Sequence, residues 1–243
     1  MSNINRIKSS LIDTTKEIDF VFNGKKYKGF KGDTLGSALL ANDVKLIGRS
    51  FKYHRPRGIV SHGSEEPNCL VEVINDYYNE PNTKITTVEL YEGLKAKSQN
   101  CWPSVKYDLM SINDKLSNFI SAGFYYKTFM WPSSFWEKIY EPLIRMSAGL
   151  GKSPTQPDPD IYDHKYVHCD VLVIGGGISG ILSAKLSAKN NFNTILIDDK
   201  NTLGGSTIFQ NNKNFKINNE ISKDWLTKEI EELKKLNNLT IKT

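Results

Sequence analysis

The chain has 243 residues, 39% hydrophobic and 24% charged, with aromatics spread along its length. That balance excludes a disordered or membrane-embedded chain and leaves room for two small domains with separate cores. The formal net charge of +5 is too small an excess to argue by itself for nucleic acid, and it suits an anionic cofactor or an acidic partner equally. MSNINRIKSS lacks the apolar core of a signal peptide, and no stretch approaches the roughly 20 apolar residues that span a bilayer, so a cytoplasmic chain without a membrane partner is expected. Cys69, Cys101 and Cys169 are widely separated and form no C-x-x-C pair. That spacing predicts no metal site and no disulfide framework, only reduced, mostly buried thiols.

In chain order, Ile18, Phe20 and Phe22 alternate with polar residues, Asn23-Gly24 supplies a positive-φ turn, and Lys25 to Phe30 returns as a second strand, which predicts a hairpin. Gly32-Asp33-Thr34 offers a capping side chain to a helix from about Leu35 to Asn42. Leu70 to Ile74 and Thr87 to Tyr91 read as further strands. Hairpin, helix and strands predict a small α+β domain of β-grasp type over residues 1–93.

Gly48 to Gly58, GRSFKYHRPRG, interleaves Arg49, Lys52, His54, Arg55 and Arg57 with Phe51 and Tyr53. Such a segment suits phosphates or single-stranded nucleic acid, and equally a solvated loop anchored by its aromatics. An aromatic-rich helical connector and linker is expected over 94–163. Within it, Gly123 to Gly151 is dense in aromatics, with Ser134 and Glu137 as a capping box and Phe135, Ile139 and Ile144 as an apolar stripe. Pro142 bends or interrupts that helix. The aromatics suit either core packing or a face covered by another subunit. Lys152 to Asp163, KSPTQPDPDIYD, has the composition of an extended linker.

The most specific motif follows. Val171 to Ile174 is an apolar run of the kind a buried parallel strand needs, and it leads into Gly175-Gly176-Gly177-Ile178-Ser179-Gly180 and a helix to about Lys189. In such a fingerprint Gly175 permits the tight turn, Gly177 lets backbone approach a pyrophosphate, and Gly180 lets helix and strand pack closely. The helix N-terminus offers amides and dipole to the phosphates. A second strand, Thr194 to Ile197, ends at Asp198, 23 positions beyond Gly175 and close to the spacing of about 20 expected for a ribose-binding acid. A carboxylate there accepts ribose hydroxyls and repels a 2′-phosphate, favouring NAD or FAD over NADP. Asp199 is placed to share that role. Gly204-Gly205-Ser206 adds a glycine turn often seen in flavoproteins that bind two dinucleotides. A helix from about Ser222 to Leu236 and a strand from Leu239 to Lys242 complete the start of an α/β Rossmann-type domain over 164–243. A doubly wound domain needs more parallel strands than these, so the sequence is expected to be a truncated part of a longer protein.

The segments GDTLGSALLAN, GRSFKYHRPRG, EEPNCLVEV, SQNCWPS, AGFYYKTFMWP and DVLVIGGGISG, in that order, closely resemble the N-terminal part of the alpha subunits of heterotetrameric sarcosine oxidases. The resemblance implies a clusterless β-grasp domain of ferredoxin type followed by a domain that holds NAD. It places NAD contacts at Ser179, Asp198, Asp199, Lys200 and Ser206, in addition to Gly175, Gly177, Gly180 and Gly205. Ser179 stands where the family usually has Ala, and Asp199 where it often has Glu. Only Cys69 falls in the region where ferredoxin-like relatives cluster their cysteines, which disfavours a [2Fe-2S] centre needing four such ligands. The resemblance further implies beta, gamma and delta partner subunits and sarcosine as substrate of the complex. FAD and FMN act in that complex, and a C-terminal part using tetrahydrofolate in one-carbon metabolism follows the region matched here. It implies no catalytic residue in this chain, and an isolated fragment without activity. The alternative within the same architecture is the alpha subunit of a secondary-amine or opine dehydrogenase. A single-strand-binding module built on the basic loop is disfavoured because it leaves the fingerprint unexplained.

Overall fold

A computed structural model describes residues 5–7, 11–127, 129–209 and 215–243, the side chains of Tyr125 and Tyr126 excepted. Parts of MSNINRIKSS and Thr128 of the aromatic segment therefore lie outside the described residues. The chain forms two compact units, Met1–Asp160 and Ile161–Thr243. Among the described residues, no helix is long and apolar enough to cross a membrane.

In the first unit, strands β1 (Asp13–Phe22) and β2 (Lys25–Lys31) form the expected hairpin. Asn23 and Gly24 both take positive φ, 50° and 76°, the pairing whose twist matches the flanking strands. Helix α1 (Leu35–Ala41) begins at Thr34, whose side chain accepts a hydrogen bond from the Ser37 amide while the Ser37 hydroxyl accepts one from the Thr34 amide. Buried Asp33 fixes this start by accepting from the Phe30 amide at 2.9 Å, the Ser37 hydroxyl at 2.7 Å and the Arg6 guanidinium at 3.0 Å. Two short strands, β3 (Gly48–Arg49) and β4 (Pro56–Arg57), pair with each other. Strands β5 (Leu70–Ile74), β6 (Asn79–Lys84) and β7 (Lys95–Ser98) complete a five-stranded sheet of order β2-β1-β7-β5-β6. Phe20, Phe22, Leu35, Leu39, Ile47, Ile85 and Leu94 fill the core between the sheet and α1.

Thr87 to Tyr91 is not a strand. Beyond one isolated bridge between Glu89 and Thr34, this stretch serves the start of α1: the Leu35 amide donates to the Val88 carbonyl at 2.8 Å, and the Gly36 amide to the Ile85 carbonyl at 2.9 Å. Those are amides a helix N-terminus leaves without partners of its own. The sheet instead continues past Gly93 into β7, where Ala96 and Ser98 point inward and Lys95 and Lys97 outward.

The basic segment 48–58 turns its charge inward. The Arg49 guanidinium donates to three carbonyls, of Val105 at 2.8 Å, His54 at 3.1 Å and Lys106 at 3.1 Å. His54, 2% exposed, places Nδ1 2.6 Å from Asp108 and Nε2 2.5 Å from the Ser147 carbonyl. A carbonyl only accepts, so Nε2 carries its hydrogen. Asp108 also accepts from the amides of Trp102 and Met110, at 3.0 and 3.2 Å. Lys52 and Tyr53 donate to the Ser121 and Ile120 carbonyls, both at 2.8 Å, and Arg55 donates to Asp114 at 2.7 Å. A structural reading of this loop is therefore favoured over the phosphate-gripping and strand-binding ones: Arg49, Lys52, His54 and Arg55 bind the chain that runs from 100 to 148, while Arg57 donates to the neighbouring Pro56 carbonyl.

That chain includes the short helices α2 (Ile112–Lys115) and α3 (Phe124–Lys127). The expected capping box at Ser134 and Glu137 does not form. A single 3-10 turn at Ser133–Phe135 passes into a π-type turn, Trp136–Tyr140, and then helix α4 (Glu141–Ala148). The change of hydrogen-bonding pattern falls at Pro142, which has no amide to offer the preceding turn. Trp131, Leu143 and Met146 are mostly exposed.

In the second unit, strand β8 (Val171–Ile174), helix α5 (Ile178–Lys189) and strand β9 (Thr194–Ile197) occupy the expected ranges. A small hairpin of β10 (Lys216–Ile217) and β11 (Glu220–Ile221) precedes α6 (Ser222–Leu233), and β12 (Leu239–Lys242) ends the unit. The sheet is parallel, order β12-β9-β8. Ile181, Ala184, Leu196, Trp225, Leu226 and Leu233 form its core, with Val173 and Ile241 packed against them. Lys185 ties the two helices together through Glu229 at 2.6 Å and Glu232 at 2.7 Å. Full burial of β8 is not observed. Its residues alternate, and Leu172 and Ile174 on the face away from α5 and α6 are exposed, as is Ile197 beside them.

The buried His54–Asp108 pair yields a first prediction. His54→Ala leaves the buried Asp108 carboxylate and the Ser147 carbonyl each one hydrogen-bond partner short and lowers the unfolding free energy of the first unit by roughly 1–3 kcal/mol in urea titration. A loss below about 1 kcal/mol would match a surface pair instead.

Candidate functional site

The glycine fingerprint sits where β8 passes into α5. Gly175 has φ +99°, a conformation that admits the tight turn and disfavours any side chain. Gly180, one turn into α5, is set by contact: a Cβ there would fall inside the Gly175 carbonyl oxygen and against Val173. Gly177 is different. It is the N-cap of α5, it has ordinary extended backbone, and a Cβ on it would meet no protein atom within 4 Å. No side chain caps α5 and no acid lies in its first turn, so its leading amides and dipole face outward undiminished. Ser179 is exposed on that first turn.

Asp198 stands at the end of β9, half-buried, and reaches back to the glycines. Its Oδ2 accepts from the Gly176 amide and its Oδ1 from the Lys200 amide at 2.9 Å. A carboxylate has about four acceptor sites, so two remain for other donors. Gly204-Gly205-Ser206 closes the other side: the Gly204 amide donates to the Gly176 carbonyl at 2.7 Å, and Gly205, with φ +54°, packs against Gly177. Ser206 is exposed at the start of a 3-10 turn, Gly205–Phe209.

Of the expected residues, Gly175, Gly177, Gly180, Asp198 and Gly205 are thus brought together. Ser179 and Ser206 lie on the first turns of two adjoining helical segments. Asp199 is exposed, and Lys200 enters the network only through its backbone amide. Sequence reasoning passed over Gly176, the buried residue whose amide and carbonyl join Asp198 to Gly204. The doublets Gly175-Gly176 and Gly204-Gly205 are the signal that would have found it.

The arrangement is the loop between a parallel strand and a helix, open above its glycines, with a carboxylate at the end of the neighbouring strand. It can hold the two phosphates and the ribose of a dinucleotide.

Two family models match parts of the chain: a 2Fe-2S iron-sulfur cluster binding domain over residues 15–101, and an FAD dependent oxidoreductase over 170–238. The particular relatives are sarcosine oxidase alpha subunits. That of Rhizobium meliloti (strain 1021) is 51% identical over 86% of this chain, and that of Corynebacterium sp. (strain P-1) is 31% identical over 80%. The chain covers 21% and 16% of the length of those two relatives. The resemblance read from the sequence motifs is therefore shown. Among solved structures, L-proline dehydrogenase from P. horikoshii shares the fold, with a TM-score of 0.53 at 19% identity, covering 93% of this chain and 33% of that one.

The first family description raises the question of a cluster, and the donors present do not fit one. Within residues 15–101 the only cysteines are Cys69 and Cys101, where a [2Fe-2S] cluster takes four thiolates. Burial, reinforced by the Glu66 carboxylate, pushes the Cys69 thiol up to about 12, and burial beside Asp108 pushes Cys101 up to about 11. Both are thiols rather than thiolates at neutral pH. Among the described residues, no group of three or more His, Cys, Asp or Glu side chains is placed to hold a metal ion. Cys101 and Cys169 are half-buried, so only Cys69 matches the expectation of buried thiols.

Two glycines separate binding from folding. Gly177→Ala, placed in open space, should leave stability within about 0.5 kcal/mol. A methyl in the phosphate path should nonetheless weaken dinucleotide binding roughly tenfold or more, the effect of overfilling a packed contact. Gly180→Ala should instead destabilise the second unit by at least about 1–3 kcal/mol, because helix and strand must separate. Paired calorimetric titration and denaturant unfolding read both effects, and equal behaviour of the two variants would contradict the assignment.

Proposed function

We propose that this chain is the dinucleotide-holding part of the alpha subunit of a heterotetrameric sarcosine oxidase. The observation that carries the reading is the open loop of β8 and α5 with Asp198 opposite it. The first unit serves as a β-grasp module without a cluster, and the second begins a Rossmann-type domain. In this reading α5 binds the pyrophosphate through its leading amides, Gly177 leaves room for the close approach, and the free acceptor sites of Asp198 take the ribose hydroxyls. Ser179, Asp199, Lys200 and Ser206 line the rim of the same site. The Asp198 carboxylate repels a 2′-phosphate and so favours NAD or FAD over NADP, and of these two the resemblance to sarcosine oxidase alpha subunits favours NAD. When bound, NAD supplies a nicotinamide ring with hydride-transfer chemistry; the residues of this chain bind and orient it, and none is assigned a catalytic step.

The complete oxidoreductase, on this proposal, combines the alpha subunit with beta, gamma and delta subunits in the cytoplasm. It converts sarcosine to glycine with formation of hydrogen peroxide, using FAD and FMN, and a further part of the alpha subunit passes the one-carbon unit to tetrahydrofolate. The exposed aromatics around Trp131 and Met146 support a role of this region in subunit assembly.

The test uses the full-length chain purified with its partners, its released nucleotides identified by mass and its sarcosine-dependent peroxide measured. NAD recovered together with flavin and peroxide supports the proposal. Oxidation of a different secondary amine would keep the architecture and move the substrate. Asp198→Ala should weaken NAD retention by about tenfold or more, the loss expected for hydrogen bonds to a charged group; wild-type NAD content in that variant would remove Asp198 from the site.

A further inference from the structure

Glu66 is fully buried, yet it is neither part of the nucleotide site nor paired with a cation. Its Oε2 accepts from the amides of Val60 and Ser61, at 2.7 and 2.8 Å, and its Oε1 from the amide of Asn68 at 2.8 Å. The Cys69 thiol lies beside the same carboxylate and interacts with it. Three amide donors thus converge on one anion and use most of its acceptor sites. Burial acts to raise this carboxyl, but the three amides and the thiol outweigh it, and Glu66 stands below the ordinary carboxylate value. The turn that precedes it, Gly63–Glu65, is in turn tied to the sheet side, the Thr86 hydroxyl donating to the Gly63 carbonyl at 2.7 Å and Lys84 to the Ser64 carbonyl at 2.5 Å.

Backbone amides that converge on one point form an anion-binding concavity, the kind of feature that also surrounds iron–sulfur centres. In a domain whose family is described by such a cluster, the concavity is here filled by the chain's own side chain. We propose that the Glu66 carboxylate is the organising anion of the loop between α1 and β5, taking the structural role that a cluster's negative charge has in a cluster-binding domain. This rests on the cluster-free reading of the first unit and extends it. That unit needs no iron to fold, its Cys69 is a buried thiol rather than a ligand, and it offers no centre for electron relay.

The full chain, expressed with iron and sulfide in supply and then incubated anaerobically with ferrous iron and sulfide, is assayed for bound iron, acid-labile sulfide and the paramagnetic signal of a reduced cluster. In parallel, hydrogen exchange of the Val60, Ser61 and Asn68 amides is compared in wild type, Glu66→Ala, Glu66→Gln and Cys69→Ser. The expected result is no cluster in any form, with exchange at those amides faster by on the order of tenfold to a hundredfold in Glu66→Ala, as befits lost bonds to a charged acceptor. Glu66→Gln should fall between, and Cys69→Ser should leave the three amides protected. Absence of a cluster with unchanged exchange in both Glu66 variants would overturn the role of Glu66 and leave the cluster-free reading standing. A stoichiometric cluster lost in Cys69→Ser would overturn both.

Discussion

The second unit depends on how closely α5 can approach the strand it leaves. Gly180 lies against the Gly175 carbonyl with no room for a single added carbon. That contact brings the N-terminus of α5 to the end of β8 and so aims its amides at the space above the glycines. Once the loop is drawn in, Gly176 is buried, its amide meets Asp198 and its carbonyl meets Gly204. The carboxylate and the second glycine turn are therefore positioned by the same short approach. Were α5 to sit farther out, β8 and β9 would still pair, but the three parts of the site would lose their common reference.

The first unit solves a different problem, the placement of charge. Its sheet and α1 make an ordinary apolar core, whereas the chain from 100 to 148 has few buried apolar groups to hold it. It is fastened by polar groups of the 48–58 loop. Arg49 satisfies three carbonyls, and His54 joins Asp108 to the end of α4. Buried polar groups are tolerated when every member has its partner, and such networks fix one arrangement because any slip leaves one unsatisfied. The positive charge of this loop is a device of internal order, which agrees with a family resemblance that runs through the loop and the segment it holds.

The geometry of the candidate site was legible because it is local. Strand, glycines, helix and the acid at the end of the next strand all lie within 28 consecutive residues, 171 to 198, and each position follows from what a phosphate or a helix crossing needs. The hairpin and the cap at Thr34 were legible for the same reason. The strand Lys95–Ser98 was not, because its inward residues are only alanine and serine, and it is made a strand by partners that come from elsewhere in the sequence. The alternation of Thr87 to Tyr91 misled because Val88 and Leu90 pack on the core while the backbone of the stretch serves the start of α1. The basic loop misled in a similar way. Its sequence displays cations, but most of their acceptors are carbonyls and carboxylates more than 50 positions away, as with His54 and Ser147, and carbonyl acceptors leave no mark in composition.

Both units use one principle to different ends. In each, backbone amides converge and require a negative partner, since amides buried without one carry a desolvation cost. In the first unit the partner is Glu66, held within the chain, so the loop is complete by itself and closed to outside anions. In the second unit Asp198 satisfies only the Gly176 amide and the Lys200 amide, while the leading amides of α5 are left uncapped. The chain supplies carboxylates readily elsewhere, so leaving the first turn of α5 without one keeps that end positive. An internal anion closes the loop of the first unit, and a withheld one leaves the first turn of α5 open; the same chain contains both.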